Sequence, residues 1–251
     1  MAFVDQYRKV RQADGHRRTS PDFYLSLPYV ANGDRQLVEW RIRAETYRHL
    51  NARVLASAPH ALRVLDLGAG SGWLSNRLSE LRHRPVAVDI LDDDLDGLGA
   101  IRAKRSPFIA VQADFDALPF APRQFDLVVF NASLHYASNP VETLRLAHSM
   151  LAPGGALVVM DSPMFHRDRD GVAMMHRLAR SFASEHGLAT MVSPGPGYLT
   201  FESLDRTAAL RLGLRPEFTP SLGSWRWRIG RMFRTVPLHR VPASFGLWVA
   251  R

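Results

Sequence analysis

Ten residues constrain this chain more than any other stretch: Val64-Leu65-Asp66-Leu67-Gly68-Ala69-Gly70-Ser71-Gly72-Trp73. A short apolar run of this kind reads as a strand buried on both faces of a parallel sheet. It carries a carboxylate near its end. Three glycines at alternate positions then allow backbone conformations closed to other residues, so the chain turns sharply into a helix. Ligands of open parallel sheets sit beyond the carboxyl ends of the strands, which makes this turn the expected binding site.

Short apolar runs continue to alternate with amphipathic segments downstream. Strands are expected over 62–67, 85–90, 108–112, 125–131 and 156–161, with a last one over 243–250, and helices over 72–82, 93–104 and 139–151. This is an α/β pattern: a mostly parallel sheet with helices on both faces. A helix over 170–186 and another starting near Thr200 follow, joined by Ser193-Pro194-Gly195-Pro196-Gly197, and 220–242 is less regular. Upstream, Asp34 is placed to cap a helix reaching about Ser57, on which Leu37, Trp40, Ala44, Tyr47, Leu50 and Val54 share a face. The expected organisation is a helical N-terminal extension, 1–58, ahead of an α/β domain, 59–251, with insertions over 161–242.

Composition removes several chemistries. With 251 residues, 46% of them hydrophobic, the chain can bury a core without covalent staples. It has no cysteine, which excludes disulfides, thiolate zinc sites and a cysteine nucleophile. No apolar run reaches the roughly 20 residues that span a bilayer, and the polar, basic start lacks the apolar stretch of a signal peptide. A cytoplasmic protein is therefore expected. The net charge of +8 would suit an anionic partner, but Lys9 and Lys104 are the only lysines among 32 basic residues. Such a skew toward arginine reflects codon usage, so the location of the arginines matters more than their total.

Asp89 closes the second expected strand, where a carboxylate can accept from both hydroxyls of a ribose. A dinucleotide-binding oxidoreductase places an acid similarly. The glycines discriminate: Gly68, Gly70 and Gly72 form G-x-G-x-G, and the third glycine of the dinucleotide fingerprint falls on Trp73. An indole there disfavours a pyrophosphate at the helix N-terminus.

Asp66-Leu67-Gly68-Ala69-Gly70-Ser71-Gly72 resembles the first motif of class I S-adenosylmethionine-dependent methyltransferases, and four landmarks follow in the family's order. They are Asp89; Ala113-Asp114-Phe115 with Leu118-Pro119-Phe120; Phe125-Asp126-Leu127-Val128; and Leu151-Ala152-Pro153-Gly154-Gly155. The likeness covers about residues 60–162 and is nearest to the small-molecule branch (methyltransferase type 11) that includes the quinone-biosynthesis C-methyltransferases. It implies a Rossmann-like, seven-stranded, mostly parallel sheet and S-adenosyl-L-methionine as cofactor. By resemblance Asp89, with Ile90 beside it, would hold the ribose, and Asp114 and Phe115 the adenine. The backbone of Gly68, Ala69, Gly70 and Gly72, and that around Asn131, would meet the methionine end. Asp66 would orient the loop or reach the cofactor's amino group through water. Asp66 and Asp114 also read as turn caps.

Methyl transfer is an in-line displacement at an activated methyl group, so alignment and exclusion of water are the protein's main tasks. A base is needed only if the acceptor arrives protonated. His135, whose ordinary pKa is near neutrality, is a candidate base, and Tyr136 beside it a positioning residue. Asp161 and His166, after the fifth strand, are further candidates near the expected acceptor site. Each reads equally well as a packing or turn residue. No metal site is expected: metal-assisted relatives use an Asp after the fourth strand and Asp-Asn after the fifth, where this chain has Asn131 and Asp161-Ser162.

The expected acceptor is a small molecule or a lipid-like compound. The Asn/Asp-Pro-Pro-Tyr/Phe motif of exocyclic-amine nucleic-acid methyltransferases is missing after the fourth strand. RNA or protein methylation, a non-catalytic cofactor-binding module and, more distantly, a dehydrogenase stay open. In the extension, Tyr24, Tyr29, Trp40 and Tyr47 could wall a lid, or Trp40 and Tyr47 could pack on the helices of the sheet. Residues 224–234, with Trp225, Arg228, Arg231, Met232 and Phe233, suit peripheral contact with a membrane surface, a gate for an anionic acceptor, stacking on RNA, or an amphipathic segment packed on the body. The oligomeric state is not legible.

Overall fold

The computed structural model describes residues 8–9, 18, 20–103, 108–186, 194–221 and 241–251. Residues 224–234, with their mixed aromatic and cationic side chains, lie outside the described residues. Seven strands make the main sheet: β1 (Arg63–Leu67), β2 (Arg84–Asp89), β3 (Ile109–Gln112), β4 (Phe125–Asn131), β5 (Leu151–Met160), β8 (Pro216–Pro220) and β9 (Gly246–Ala250). Their order is β3-β2-β1-β4-β5-β9-β8. The first five are parallel, and β9 runs antiparallel between β5 and β8. Two short strands, β6 (Met164–Phe165) and β7 (Leu199–Thr200), pair in a separate ribbon.

The continuous apolar runs are explained by cores on both faces of the sheet. Leu65, Leu67, Val128, Phe130, Leu157 and Val159 face one core, and Val64, Leu127, Val129, Val158 and Met160 face the other. Alternate residues of a strand point to opposite faces, so a doubly covered strand has no polar side. The first face is covered by α4 (Pro140–Ser149) and α6 (Phe201–Arg206), through Leu144, Ala147 and Leu204. The second carries α2 (Leu37–Leu50) and α3 (Trp73–Glu80), through Trp40, Tyr47, Leu50, Trp73, Leu74 and Leu78. A short α1 (Pro21–Ser26) precedes α2, and the Arg77 guanidinium donates to the carbonyls of Leu25, Ser26 and Leu27 at its end. Lastly, α5 (Asp168–His186) leans on the β6–β7 ribbon, where Gly171 leaves room for the Tyr198 ring.

Trp40 and Tyr47 meet the indole of Trp73 edge-on, at 6.1 and 6.0 Å between ring centroids. Of the two readings of these aromatics, packing on the sheet's helices is the one the structure contains. Tyr24 is buried in the same core, and Tyr29 is half exposed.

Three expectations need correction. The helix expected over 93–104 is replaced by turns and a 3-10 segment, Leu98–Ala103. There the Asp93 side chain accepts from the amides of Leu95 and Asp96 at 3.0 and 2.8 Å, competing with helical bonding. Gly97 and Gly99 lie so close to backbone oxygens that a Cβ would stand 2.7 Å from one in each case. The fifth strand starts at Leu151 and ends at Met160, which leaves Asp161 just beyond it. Strand β8 was not among the six strands read from the sequence, although the resemblance implied a seventh; it begins and ends in proline. Proline is tolerated there because β8 is an edge strand, whose outer side makes no ladder bonds.

Candidate functional site

The glycine turn is built against two neighbours. The amides of Gly68 and Ala69 donate to the Val88 carbonyl of β2 at 2.8 and 2.9 Å, folding the turn over the adjacent strand. Gly68, Gly70 and Gly72 all have positive φ, at 71, 53 and 69°. At Gly68 a Cβ would stand 2.3 Å from Ser133 Cβ and 3.7 Å from the Phe115 ring. Ser133 cannot yield easily, since its hydroxyl donates to the Leu67 carbonyl at 2.5 Å. The missing Cβ is therefore a steric requirement of the loops after β1, β3 and β4.

Asp89 braces the turn. One carboxylate oxygen accepts from the Gly70 amide at 2.7 Å and the other from the Leu91 amide at 2.8 Å. Burial pushes its pKa up to about 6, against those two bonds. Asp66 is fully buried under the turn. Ser75 of α3 donates to its Oδ2 at 2.8 Å, while Oδ1 has no partner. Burial raises this carboxyl to about 7, with the nearby charge of Asp89 adding to it. Asn131, at the end of β4, is likewise buried and its Oδ1 has no partner. Buried polar atoms without partners are uncommon and call for explanation.

Asp114 is exposed, and its Oδ1 accepts from the Asp116 amide at 2.9 Å, a local turn. Phe115 is half-buried and edge-on to Phe130 at 6.2 Å. Ile90 is half-buried beside Asp89, and its carbonyl accepts from Gln112.

Beyond β4, His135 is buried, with its Nδ1 3.1 Å from Ser162 Oγ and its ring 4.2 Å from that of Tyr136. Burial, with the charge of Arg43, pushes its pKa down to about 3. At neutral pH it is an uncharged imidazole with little affinity for a proton. Its carbonyl accepts from the Gly197 amide at 3.0 Å, which ties the loop of 194–197 to it. His166 is exposed and stacks on Phe201, 4.6 Å between rings.

Asp161 was an acceptor-side candidate in the sequence, but its surroundings were not legible there. It is buried, with φ 55°, and its Oδ1 accepts from the Thr46 hydroxyl of α2 at 2.5 Å. Thr46 Oγ1 also lies 2.5 Å from Ser221 Oγ, at the end of β8. Asp161 Oδ2 has no partner. Burial raises this carboxyl to about 6, with Thr46 and Arg43 opposing the rise and Glu39 adding to it. Thr46 and Ser221 were not among the sequence candidates. A buried threonine on the apolar side of a helix was the available signal.

The glycine turn, Asp89 and Asp66 thus lie together at the carboxyl ends of β1 and β2, beside that of β4. Asp66 Oδ1 and Asn131 Oδ1 are acceptors suited to an ammonium, and Asp89 is an acceptor suited to sugar hydroxyls.

A family model described as a methyltransferase domain matches residues 39–195. The chain is 32% identical over 117 residues to a malonyl-[acyl-carrier protein] O-methyltransferase of Erwinia pyrifoliae, covering 46% of this chain and 44% of that protein. It is also 32% identical over 114 residues to the ubiquinone/menaquinone biosynthesis C-methyltransferase of Shewanella frigidimarina, covering 43% and 45%. A tRNA 5-carboxymethoxyuridine methyltransferase of Escherichia coli is 32% identical over 136 residues, covering 52% and 50%. The chain spans about half the length, or less, of these curated relatives. Among solved structures, an S-adenosylmethionine-dependent methyltransferase of Mesorhizobium loti superposes with a TM-score of 0.57 at 20% identity, covering 82% of this chain and 97% of that one.

Proposed function

Since the chain belongs to the class I S-adenosylmethionine-dependent methyltransferases, we propose that it moves a methyl group from S-adenosyl-L-methionine to a small-molecule or lipid-like acceptor by in-line displacement. The observation that carries this reading is the pair of buried, unpartnered oxygens, Asp66 Oδ1 and Asn131 Oδ1, beside a turn that excludes a Cβ at Gly68. They fit a cofactor whose amino-acid end bears an ammonium and lies against backbone. Asp89 and Ile90 would hold the ribose, Asp114 and Phe115 the adenine, and Gly68, Ala69, Gly70 and Gly72 the methionine end. The cofactor, when bound, supplies an already activated methyl electrophile. The chain aligns the acceptor and excludes water. His135, uncharged and held by Ser162, orients the loop after β4, with Tyr136 at the acceptor side. Residues 59–251 form the transferring domain in this reading, with 1–58 as a helical extension ahead of it. A cytoplasmic location is part of the same proposal. Among the described residues no helix is long and apolar enough to cross a membrane.

Calorimetric titration with S-adenosylhomocysteine tests the cofactor site. Asp89→Ala is expected to weaken binding by about 1–3 kcal/mol, the cost of a lost hydrogen bond to a charged group. Unchanged affinity would refute the assignment.

Binding should also depend on pH with a definite sign. In the free protein, burial holds Asp89 near 6 and Asp66 near 7, while the cofactor's donors favour their ionised forms. Affinity should therefore rise between pH 5.5 and 7.5, with proton release on binding that calorimetry in two buffers of different ionisation enthalpy detects. Without ligand, these raised carboxyls contribute stability that is full below about pH 4 and is lost as pH rises through 6–7. Added S-adenosylhomocysteine should shift the melting temperature more at pH 7.5 than at 5.5. A pH-independent affinity would sink this account.

The tRNA relative favours a second reading, in which the acceptor is RNA. Incubation with tritiated-methyl donor and separated cell fractions distinguishes the two: label in the small-molecule or lipid fraction supports the first, and label in RNA the second.

A further inference from the structure

The cluster of Thr46, Asp161 and Ser221 is unused by the cofactor site, and its chemistry bears on the acceptor. Three elements distant in sequence bring it together: α2, the turn after β5 and the end of β8. All three residues are buried, at 0, 5 and 1% exposure. Thr46 has one hydroxyl proton, and the Ile42 carbonyl one turn back, 3.1 Å away, competes with Asp161 Oδ1 for it. If it is given to Asp161 Oδ1, Ser221 is the donor to Thr46 Oγ1, and the two hydroxyls form a relay that holds one side of the carboxylate. The other oxygen, Oδ2, is buried and without a hydrogen-bond partner. Asp161 follows directly on Met160, which pairs with Asn131 in the β4–β5 ladder. The open oxygen thus belongs to the same line of strand ends as the proposed methyl donor. The backbone leaves the strand at a positive φ, which aspartate tolerates better than most residues and which commonly marks functional positions.

Among the described residues the charges around this carboxylate are few. From α2 come Arg43 and Glu39, paired with each other at 2.5 Å, and from the loop after β4 comes His135, whose Nδ1 faces the adjacent Ser162. From β9 the approach is backbone, the Gly246 carbonyl accepting from the Asp161 amide at 3.1 Å. Among the described residues Arg43 is already paired with Glu39, and a carboxylate acceptor would bring a second anion against Asp161 with no proton to give. A donor would satisfy the open oxygen.

We propose that Asp161, positioned by Thr46 and Ser221, receives the proton that the acceptor loses, and that the acceptor meets the enzyme through an O–H or N–H group rather than as a carboxylate. This rests on the methyltransferase reading above and narrows its substrate class. With the acceptor written X–H, the X–C bond forms as the C–S bond breaks and the C–S electron pair stays on sulfur. The X–H proton passes to Asp161 Oδ2. A sulfonium and a carboxylate become a thioether and a carboxylic acid, and the charges balance. Asp161 would be the catalytic residue, and Thr46 and Ser221 positioning residues.

Carbon-13 NMR of aspartate-labelled protein, saturated with S-adenosylhomocysteine, reads the carboxyl directly. The resonance lost in Asp161→Asn should titrate well above the ordinary value near 4 for aspartate. It should move further upward in Thr46→Val, which removes a donor to the charged form, and return in Thr46→Ser. Titration in the ordinary range, or indifference to Thr46→Val, overturns the proposal. Affinity for S-adenosylhomocysteine should change less than twofold in these variants, whereas failure of the wild type to bind it would overturn the methyltransferase reading instead. A second arm uses tritiated-methyl donor with 4-hexylphenol, octylamine and octanoic acid as probes. Label in the phenol or amine, reduced about 100-fold or more by Asp161→Asn, is expected for a lost general base. Label in octanoic acid at a rate that Asp161→Asn leaves alone overturns the proposal. If no probe is labelled, the titration decides by itself.

Discussion

Gly68→Ala should cost about 2–5 kcal/mol of stability, the sum of a left-handed backbone conformation and an overpacked contact, and should abolish S-adenosylhomocysteine binding. The backbone part follows from φ 71° at this position. The packing part follows from Ser133, whose Cβ would lie 2.3 Å from the new methyl and whose hydroxyl is bound to Leu67. Relief would require the loop after β4 to move away from the turn after β1. That loop follows Asn131 and leads to His135, so Asn131 and Asp66, proposed above to receive the cofactor's ammonium, would be pulled apart. Gly213 supplies the control. Its φ is 68° and nothing lies within 4 Å of its Cβ position. Gly213→Ala therefore isolates the backbone cost, about 1–2 kcal/mol, and leaves ligand binding intact. Urea denaturation of both variants measures the difference. Equal losses would mean that Ser133 yields freely and that the turn is not sterically defined.

Trp73→Ala should cost about 3–5 kcal/mol, the usual range for emptying a buried aromatic site. The indole is 4% exposed and makes edge-on contacts with Trp40 and Tyr47, and Trp40 in turn meets Phe23 at 6.2 Å. This chain of rings joins α1 and α2 to the helix that opens directly after the glycine turn. The loss should thus be accompanied by faster hydrogen exchange in the amides of α2. In a double-mutant cycle, Trp73→Ala and Trp40→Ala should couple by about 0.5–1.5 kcal/mol, as expected for aromatic pairs in contact. Additive effects, or a stability change under about 1 kcal/mol, would show that the extension is held by other contacts.

The sequence was most legible where one local rule governs. Strands β1 and β4 are covered on both faces, and their unbroken apolar runs say so directly. The three glycines announce their turn, and Asp89 stands at the strand end where a carboxylate can brace it. Local rules failed where a side chain overrode them. Asp93 drew backbone amides to itself and prevented the helix expected over 93–104. No strand was read over Pro216–Pro220, whose prolines are acceptable only at the sheet edge.

The order of apolar runs, glycines and acids by itself determined an α/β sheet with a sharp glycine turn at its strand ends, and the family followed from resemblance. What only the tertiary structure decided is protonation and partnership. His135 looks like a neutral-pH base in the sequence, and burial takes its proton affinity away. Asp161, an acceptor-side candidate that also reads as a turn residue, acquires Thr46 from 115 positions upstream, and Thr46 is itself joined to Ser221, 175 positions downstream of Thr46. Solvation and long-range hydrogen bonding depend on which surfaces meet after folding, and no spacing along the chain encodes them.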